Sequence, residues 1–202
     1  MPNNSPSRAA TWGYVIVNLL LLVALAFGVF RLATAAVAVA GGPRRSIDVE
    51  AFLPRDSVSV PRDAHLVTDP RIRVHVAHPT KAQVALEAGL ELAPLVLFVI
   101  GLWLLRGVAG SVRKGNPFAP VNVRRLRGIG ALLVVGSLVL AFVEMSLRQA
   151  LYHRLPTPPF GNLVTEGLSI HGNAFIAGLG VFVLAEVFAH GVRLREDVEA
   201  TI

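Results

Sequence analysis

The chain has 202 residues, of which 53% are hydrophobic and only 16% are charged. A soluble domain carries about a quarter of charged residues, so this composition excludes an ordinary soluble globular protein and favours a membrane protein. The net charge of +6 comes mostly from arginine, which in a membrane protein indicates lipid headgroups and topology before nucleic acid. The absence of cysteine excludes disulfides, cysteine-ligated zinc and a thiol nucleophile.

Four apolar stretches are long enough to cross a bilayer. A hydrocarbon core about 30 Å thick needs roughly 20 helical residues, and these stretches lack the period-two alternation of barrel strands. We therefore predict an all-α membrane protein, a four-transmembrane-helix bundle that forms a single domain over residues 1–202. The predicted spans are residues 14–33, 84–105, 128–147 and 168–189.

The first apolar stretch also has features of a secretory signal peptide. Small-residue A-x-A patterns at residues 36–38 and 38–40 resemble cleavage sites. The apolar core over residues 14–30 is longer than a typical signal core, however, and Arg8 is the only basic residue before it. We predict that the first span is retained.

The segment over residues 41–83 is the only sizeable insert between spans. Residues 57–60 and 71–76 alternate polar and apolar side chains, which is typical of half-exposed strands. A small β-hairpin or a three-stranded patch is predicted, and it should lean on the helices because two strands alone are marginal in water. Thr80 and Gln83 have the spacing of a capping box, which predicts the start of the second helix.

Charge between the second and third spans predicts the orientation. Residues 106–127 carry six basic residues and no acidic residue, so this loop is expected in the cytoplasm. Both termini, including the tail over residues 190–202, are then cytoplasmic, and the insert is extracytoplasmic. The insert has seven basic and five acidic residues, which opposes this orientation only in part. The predicted location is the inner (cytoplasmic) membrane.

Ionisable side chains within the spans form a predicted polar layer. Counted at about 1.5 Å per residue from the span midpoints, four of them fall roughly 6–12 Å toward the outer side. They are Arg31, Glu91, Glu144 and His171. One interpretation is a proton or cation relay, or a sensing site. The other is structural, with Arg31 neutralising Glu91 or Glu144, and it agrees with the general expectation that inward-facing charges form ion pairs.

Small residues in the fourth span predict close helix packing. Ala174, Gly178, Ala185 and Ala189 follow a spacing that brings helix backbones together more often than it binds a ligand. Pro94 should kink the second span.

No catalytic constellation is visible in the sequence. It contains no phosphate-binding loop, no dinucleotide-binding glycine motif, no zinc-protease motif and no nucleophile elbow, and its histidines meet no metal-ligand spacing. We expect neither an enzyme nor a cofactor nor a bound metal. Arg124, Arg125 and Arg127 suit the phosphates of anionic lipids, whereas direct nucleic-acid contact is not expected from a short basic run at the membrane.

Two segments resemble a known family. Residues 115–127 read GNPFAPVNVRRLR, and residues 184–197 read LAEVFAHGVRLRED, followed by Thr201 and Ile202. The pair resembles the bacterial proteins grouped as domain of unknown function 2975, which have a G-x-P-F loop with N-x-x-R-L-R and an E-x-F-x-x-G-x-x-L-R-E-D tail. The resemblance implies four spans, a bacterial cytoplasmic membrane and no established activity. It also implies a regulatory pair, because members often lie beside a gene for a small helix-turn-helix transcriptional regulator.

The loop and the tail are predicted to form one cytoplasmic surface. Asn122 is expected to cap the third span, and acidic residues of the tail are natural partners for the loop arginines. For Glu186, pairing and snorkelling to the membrane surface both stay open. The members of the candidate surface are Arg124, Arg125, Arg127, Glu186, Arg195, Glu196 and Asp197.

If the tail stays helical, Leu194, Val198 and Ile202 share one face, which would dock a partner or pack back on the loop. Our first hypothesis is a multi-pass membrane sensor or regulator that holds or releases a helix-turn-helix protein. The alternative is a small transporter or channel subunit that uses the polar layer. The oligomeric state is left open, including a homo-oligomer.

Overall fold

The computed structural model describes residues 8–41, 46–52, 71–155 and 172–199. Four helices in this part of the chain are long and apolar enough to span a membrane, which confirms the predicted fold class. A two-stranded sheet lies between the first and second helices. In chain order the elements are α1 (Arg8–Ala40), β1 (Ile47–Phe52), β2 (Arg71–Val76), α2 (Lys81–Arg113), α3 (Pro120–Tyr152) and α4 (Gly172–Glu199).

Helices α1, α2 and α3 extend beyond both ends of their predicted spans, and α4 extends beyond the end of its span. Helices α1, α2 and α3 have 33 residues each, or about 50 Å at 1.5 Å per residue, whereas the hydrocarbon core is about 30 Å thick. Only residues 114–119 link α2 to α3, so most of the predicted loop over residues 106–127 is helical. Hydropathy does not detect polar helix ends, because it measures transfer into lipid and not helix formation.

The chain divides into two compact units. The first, which we call the loop unit, comprises Met1–Gly28, Pro94–Leu140 and Ile170–Ile202. The second, the sheet unit, comprises Val29–Ala93 and Ala141–Ser169. The boundary in α2 falls at Pro94, and α2 is continuous through this residue. The single domain over residues 1–202 stays a prediction.

Within the loop unit, α3 and α4 approach each other closely at two glycines. A Cβ atom at Gly178 would lie 2.7 Å from Cγ2 of Val134 and 3.1 Å from the backbone oxygen of Gly130. One at Gly130 would lie 3.2 Å from the backbone oxygen of Gly178. Ala185, two turns further along α4, is fully buried. These contacts confirm the close packing that the small residues predicted.

In the sheet unit, β1 and β2 pair antiparallel, with Ile47 opposite Val76 and Asp48 opposite His75. Strand β2 matches the predicted segment 71–76, whereas β1 was not predicted and the predicted segment 57–60 lies outside the described residues. Ile47 and Val49 are buried against Leu151 near the end of α3, so the sheet leans on a helix as expected. Apolar side chains of α2, among them Leu86 and Leu90, pack against the same cluster.

The start of α2 is a capping box, as predicted. The amide of Thr80 donates to Oε1 of Gln83 at 2.7 Å, and the amide of Gln83 donates to Oγ1 of Thr80 at 3.3 Å. The buried Gln83 side chain also donates from Nε2 to the backbone oxygen of Arg154 at 2.8 Å. This bond ties the beginning of α2 to the turn that follows α3.

We predict that Gly178→Ala lowers the free energy of unfolding in detergent by about 1–3 kcal/mol, because the added methyl group meets Val134 and Leu133 at the helix crossing. Gly180→Ala is the matched control, since a Cβ atom there has no neighbour within 4 Å. We expect the control to lose no stability, because alanine is the better helix former. Equal losses at both positions would contradict close packing at Gly178.

Candidate functional site

The loop between α2 and α3 begins with a Schellman motif. Gly115 has a φ of 75°, a left-handed conformation that glycine adopts without steric cost. Its amide donates to the carbonyl of Val112 at 3.0 Å, and the amide of Asn116 donates to the carbonyl of Ser111 at 3.1 Å. These two bonds satisfy carbonyl groups that the end of α2 would otherwise leave without partners.

Asn122 holds the loop in place. Its side chain is fully buried, and Nδ2 donates to the backbone oxygen of Pro117 at 2.9 Å. The prediction that Asn122 caps the third span is wrong, because α3 begins two residues earlier at Pro120. Proline suits the first helical position, where its missing N–H has no intrahelical partner to lose. Asn122 therefore lies in the first turn of α3 and binds the preceding loop.

Arg125 crosses from α3 to the backbone of α2. Its Nη1 donates to the carbonyl of Gly107 at 2.8 Å, and it lies 3.3 Å from both Oγ of Ser111 and Oδ1 of Asn122. A Cβ atom at Gly107 would lie only 2.5 Å from Nε of Arg125, so glycine makes room for the guanidinium. The expectation of an acidic partner for Arg125 is corrected by these contacts. A cation near the C-terminal end of α2 also interacts favourably with the helix dipole.

Arg127 pairs with Glu186 of α4. Both Nη2 and Nε donate to the same Oε1 atom, at 2.8 and 3.1 Å. Of the two alternatives for Glu186, the structure has the pairing. The side chains are 49% and 65% exposed, so in water this pair would contribute only about 0–1 kcal/mol. The main effect of the Arg127–Glu186 pair is to hold α4 in position against α3.

An aromatic contact joins the loop to α4. The rings of Phe118 and Phe188 have centroids 5.5 Å apart and are tilted by 36°. A Cβ atom at Gly191 would lie 3.0 Å from the ring of Phe118, so glycine lets this ring lie against α4. Residues 115–127 and 184–197, which are far apart in sequence, therefore lie against each other; we call them together the loop–tail surface.

The remaining members of the candidate surface differ in environment. Arg124, Glu196 and Asp197 are exposed, and Asp197 has an interaction of its own. Arg195 lies in α4, and its side chain is outside the described residues. Gly107 was not predicted as a site residue, because the room that it makes for Arg125 depends on the packing of α3 beside α2.

The loop–tail surface lies within a part of the chain that matches a known protein family. Residues 77–202 match the family model described as protein of unknown function (DUF2975). The chain belongs to this family. The DUF2975 match begins three residues before the capping box at Thr80 and includes α2, α3 and the described part of α4, so both halves of the loop–tail surface are family segments. No curated protein and no solved structure matches the chain.

Two of the four residues of the predicted polar layer contact each other in the structure. Arg31 forms an ion pair with Glu91, and thus joins α1, which precedes the DUF2975 match, to a residue within it. Glu144 has no hydrogen bond or ion pair among the residues that the structure describes, and His171 lies outside them. The structural interpretation of Arg31 is therefore favoured over a relay through all four residues.

A cavity of about 560 Å³ surrounds this ion pair within the sheet unit. Glu87 and Asp48 also line it, and Asp48 accepts a hydrogen bond from Nδ1 of His75 at 2.7 Å when that ring nitrogen carries the proton. Within the described ranges, no group of three histidine, aspartate or glutamate side chains is placed to hold a metal ion.

We predict that Arg125→Ala lowers the free energy of unfolding by about 1.5–3 kcal/mol, which is typical for losing a hydrogen bond made by a charged group. Arg124→Ala is the matched control, because its side chain is exposed and one residue away, and its change should stay within about 0.5 kcal/mol. Detergent unfolding of the two variants measures both values. Equal effects would show that Arg125 has no special structural function.

A second prediction concerns the Arg31–Glu91 pair. Glu91→Gln leaves an unpaired cation at membrane depth and should lower the free energy of unfolding by about 2.5–3.5 kcal/mol. Replacing both residues by methionine should recover most of this loss, because no charge is left without a partner. Glu144→Gln is the control and should cause no loss. If the double variant is as unstable as Glu91→Gln, the loss does not come from an unpaired cation.

Proposed function

We propose that this protein is a non-enzymatic, multi-pass regulator in the bacterial cytoplasmic membrane that holds a small helix-turn-helix transcriptional regulator at the end of α4. Both termini and the loop–tail surface lie in the cytoplasm, and the insert over residues 41–83 lies outside. The observation that carries this proposal is the exposed, apolar and acidic end of α4.

The apolar part of this end consists of Leu194 and Val198. The two side chains are 58% and 61% exposed, and their four-residue spacing places them on one helix face. Phe118 covers the preceding turn at Gly191, so the loop packs on α4 without covering these two residues. Of the two alternatives for this face, docking of a partner is the better supported.

The acidic part consists of Glu196 and Asp197, and the last turn of α4 contains no basic residue. Negative side chains near the C-terminal end of a helix are unfavourable, because the helix dipole is negative there too. A basic partner would offset this repulsion. Helix-turn-helix regulators present basic surfaces to DNA, so a regulator docked through that surface would be held away from its operator.

The loop–tail contacts support such a mechanism, because they connect the docking face to the membrane helices. Phe118 and Arg127 hold α4 through Phe188 and Glu186, one or two turns before Leu194. Any rearrangement of α3 against α4 would therefore move the docking face. In this way a change in the membrane or the envelope would release the partner.

The alternative function, a small transporter or channel subunit, is favoured by one observation, the 560 Å³ cavity lined by Glu87, Glu91 and Asp48. The Arg31–Glu91 ion pair opposes it, because it neutralises one of the carboxylates that a cation would need. Ion flux in proteoliposomes discriminates between the two functions. A flux that Glu91→Gln abolishes while the variant stays folded would favour transport. A flux that Glu91→Gln leaves unchanged would exclude this cavity as the route, and a flux that Glu144→Gln also leaves unchanged would exclude the rest of the predicted polar layer that it tests.

We predict that the double variant Leu194→Ser, Val198→Ser weakens co-purification of the proposed helix-turn-helix partner at least tenfold, because each buried aliphatic side chain contributes about 1.5–3 kcal/mol. Truncation from Arg193 onward should abolish it and change expression from that regulator's target. Arg193→Gln, an exposed polar change on the same helix, is the control and should leave binding intact. Undiminished co-purification after the truncation would refute the proposal.

A further inference from the structure

The loop unit contains a second cavity, of about 390 Å³, between α1, α2 and the start of α3. This volume lies within the range of about 300–1,000 Å³ that is usual for ligand pockets. Four cationic side chains line it, together with two aromatic ones: Arg106, Arg113, Lys114, Arg125, Tyr14 and Trp103.

Within the described ranges, this cavity carries only positive charge. No acidic side chain of that part of the chain lines it, and none of the four cations forms an ion pair there. Two of the cations are held in place, Arg125 by the carbonyl of Gly107 and Arg113 by a cation–π contact, with its Cζ 4.2 Å from the centre of the Tyr14 ring. Fixed like charges around one space repel each other, so an anion bound there would be stabilised.

The lining changes character along α2. Trp103 and Leu104 form an apolar end, Arg106 follows about 4.5 Å further along the helix axis, and Arg113 about 15 Å beyond Trp103. An exposed tryptophan beside cationic residues is typical of the membrane interface, where the ring lies at headgroup level. The gradient from apolar to cationic matches an amphiphile, whereas a small soluble anion would use only the cationic end.

We propose that this cavity binds the phosphate headgroup of an anionic membrane lipid. The glycerol region lies against Trp103 and Leu104, and the phosphate lies among Arg106, Arg113 and Lys114. Basic pockets between membrane helices bind anionic headgroups by this combination of charge and shape. The site is independent of the docking face at the end of α4, because it shares no residue with Leu194 or Val198.

The cavity residues differ from the arginines that the sequence predicted as lipid contacts. The sequence indicated Arg124, Arg125 and Arg127, but Arg127 pairs with Glu186, and Arg124 is exposed and does not line the cavity. Of the three, only Arg125 lines it, and its Nη1 is bound to the backbone of α2. The cations available to a headgroup are thus mainly those of α2 and of the turn after it.

The test uses the purified full-length protein in mild detergent, titrated with phosphatidylglycerol or with phosphatidylcholine, with bound lipid counted by native mass spectrometry. We expect one saturable phosphatidylglycerol site and much weaker binding of phosphatidylcholine. Lys114→Gln, at an exposed position, should weaken binding about fivefold. The double variant Arg106→Gln, Arg113→Gln should weaken it on the order of 25-fold, at about fivefold for each charge removed. Arg124→Gln is the control and should bind as the unmodified protein does.

Three results would overturn the proposal. If Arg124→Gln weakens binding as much as Lys114→Gln, the lipid is attracted by the basic surface in general and not by the cavity. Equal binding of phosphatidylcholine would show that the lipid charge is not recognised. Displacement of phosphatidylglycerol by excess inorganic phosphate would assign the cavity to a soluble anion. Thermal unfolding of each variant shows whether it is folded, and none of these results depends on the helix-turn-helix partner.

Discussion

A peptide group in hydrocarbon has no water to bind, so it must find its hydrogen-bond partner within the protein. The four long helices meet this requirement along their length. Peptide groups at the ends of the helices find their partners in side chains and turns. The capping box at Thr80 supplies acceptors for the first amides of α2. The left-handed Gly115 supplies donors for its last carbonyls, and Asn122 binds the loop that follows.

Three arginines of the loop unit have three different kinds of partner. Arg125 binds a backbone carbonyl, Arg127 binds a carboxylate, and Arg113 lies over an aromatic ring. A topology rule treats these side chains as equivalent positive charges, since it counts only their sign. The structure separates them by geometry, and four cations that have no ion pair within the described ranges line one cavity.

Much of this fold could be predicted because the strongest signals are local. Length and apolarity predicted the four helices, alternation predicted β2, and small residues predicted the contact at Gly178. Strand β1 was missed although its sequence IDVEAF also alternates, so that signal was available. Helix ends beyond the apolar runs were missed because polar residues there give no hydropathy signal.

The candidate site was less predictable because its contacts join distant segments. The Arg127–Glu186 pair was one of two alternatives, and chemistry alone did not choose between them. The contact of Arg125 with Gly107 requires knowing which turn of α2 faces α3. Glycine occurs in apolar helices for several reasons, and only the neighbouring guanidinium of Arg125 explains the glycine at position 107.

The short connection between α2 and α3 has a consequence for biogenesis. These two helices form a hairpin with a six-residue link, so they are able to associate as soon as both have left the ribosome. Phe118 and Arg127 can form their contacts only after Phe188 and Glu186 have been translated, about 70 and 60 residues later. Until that moment these two contacts of the loop are missing, and arrival of the fourth helix completes them.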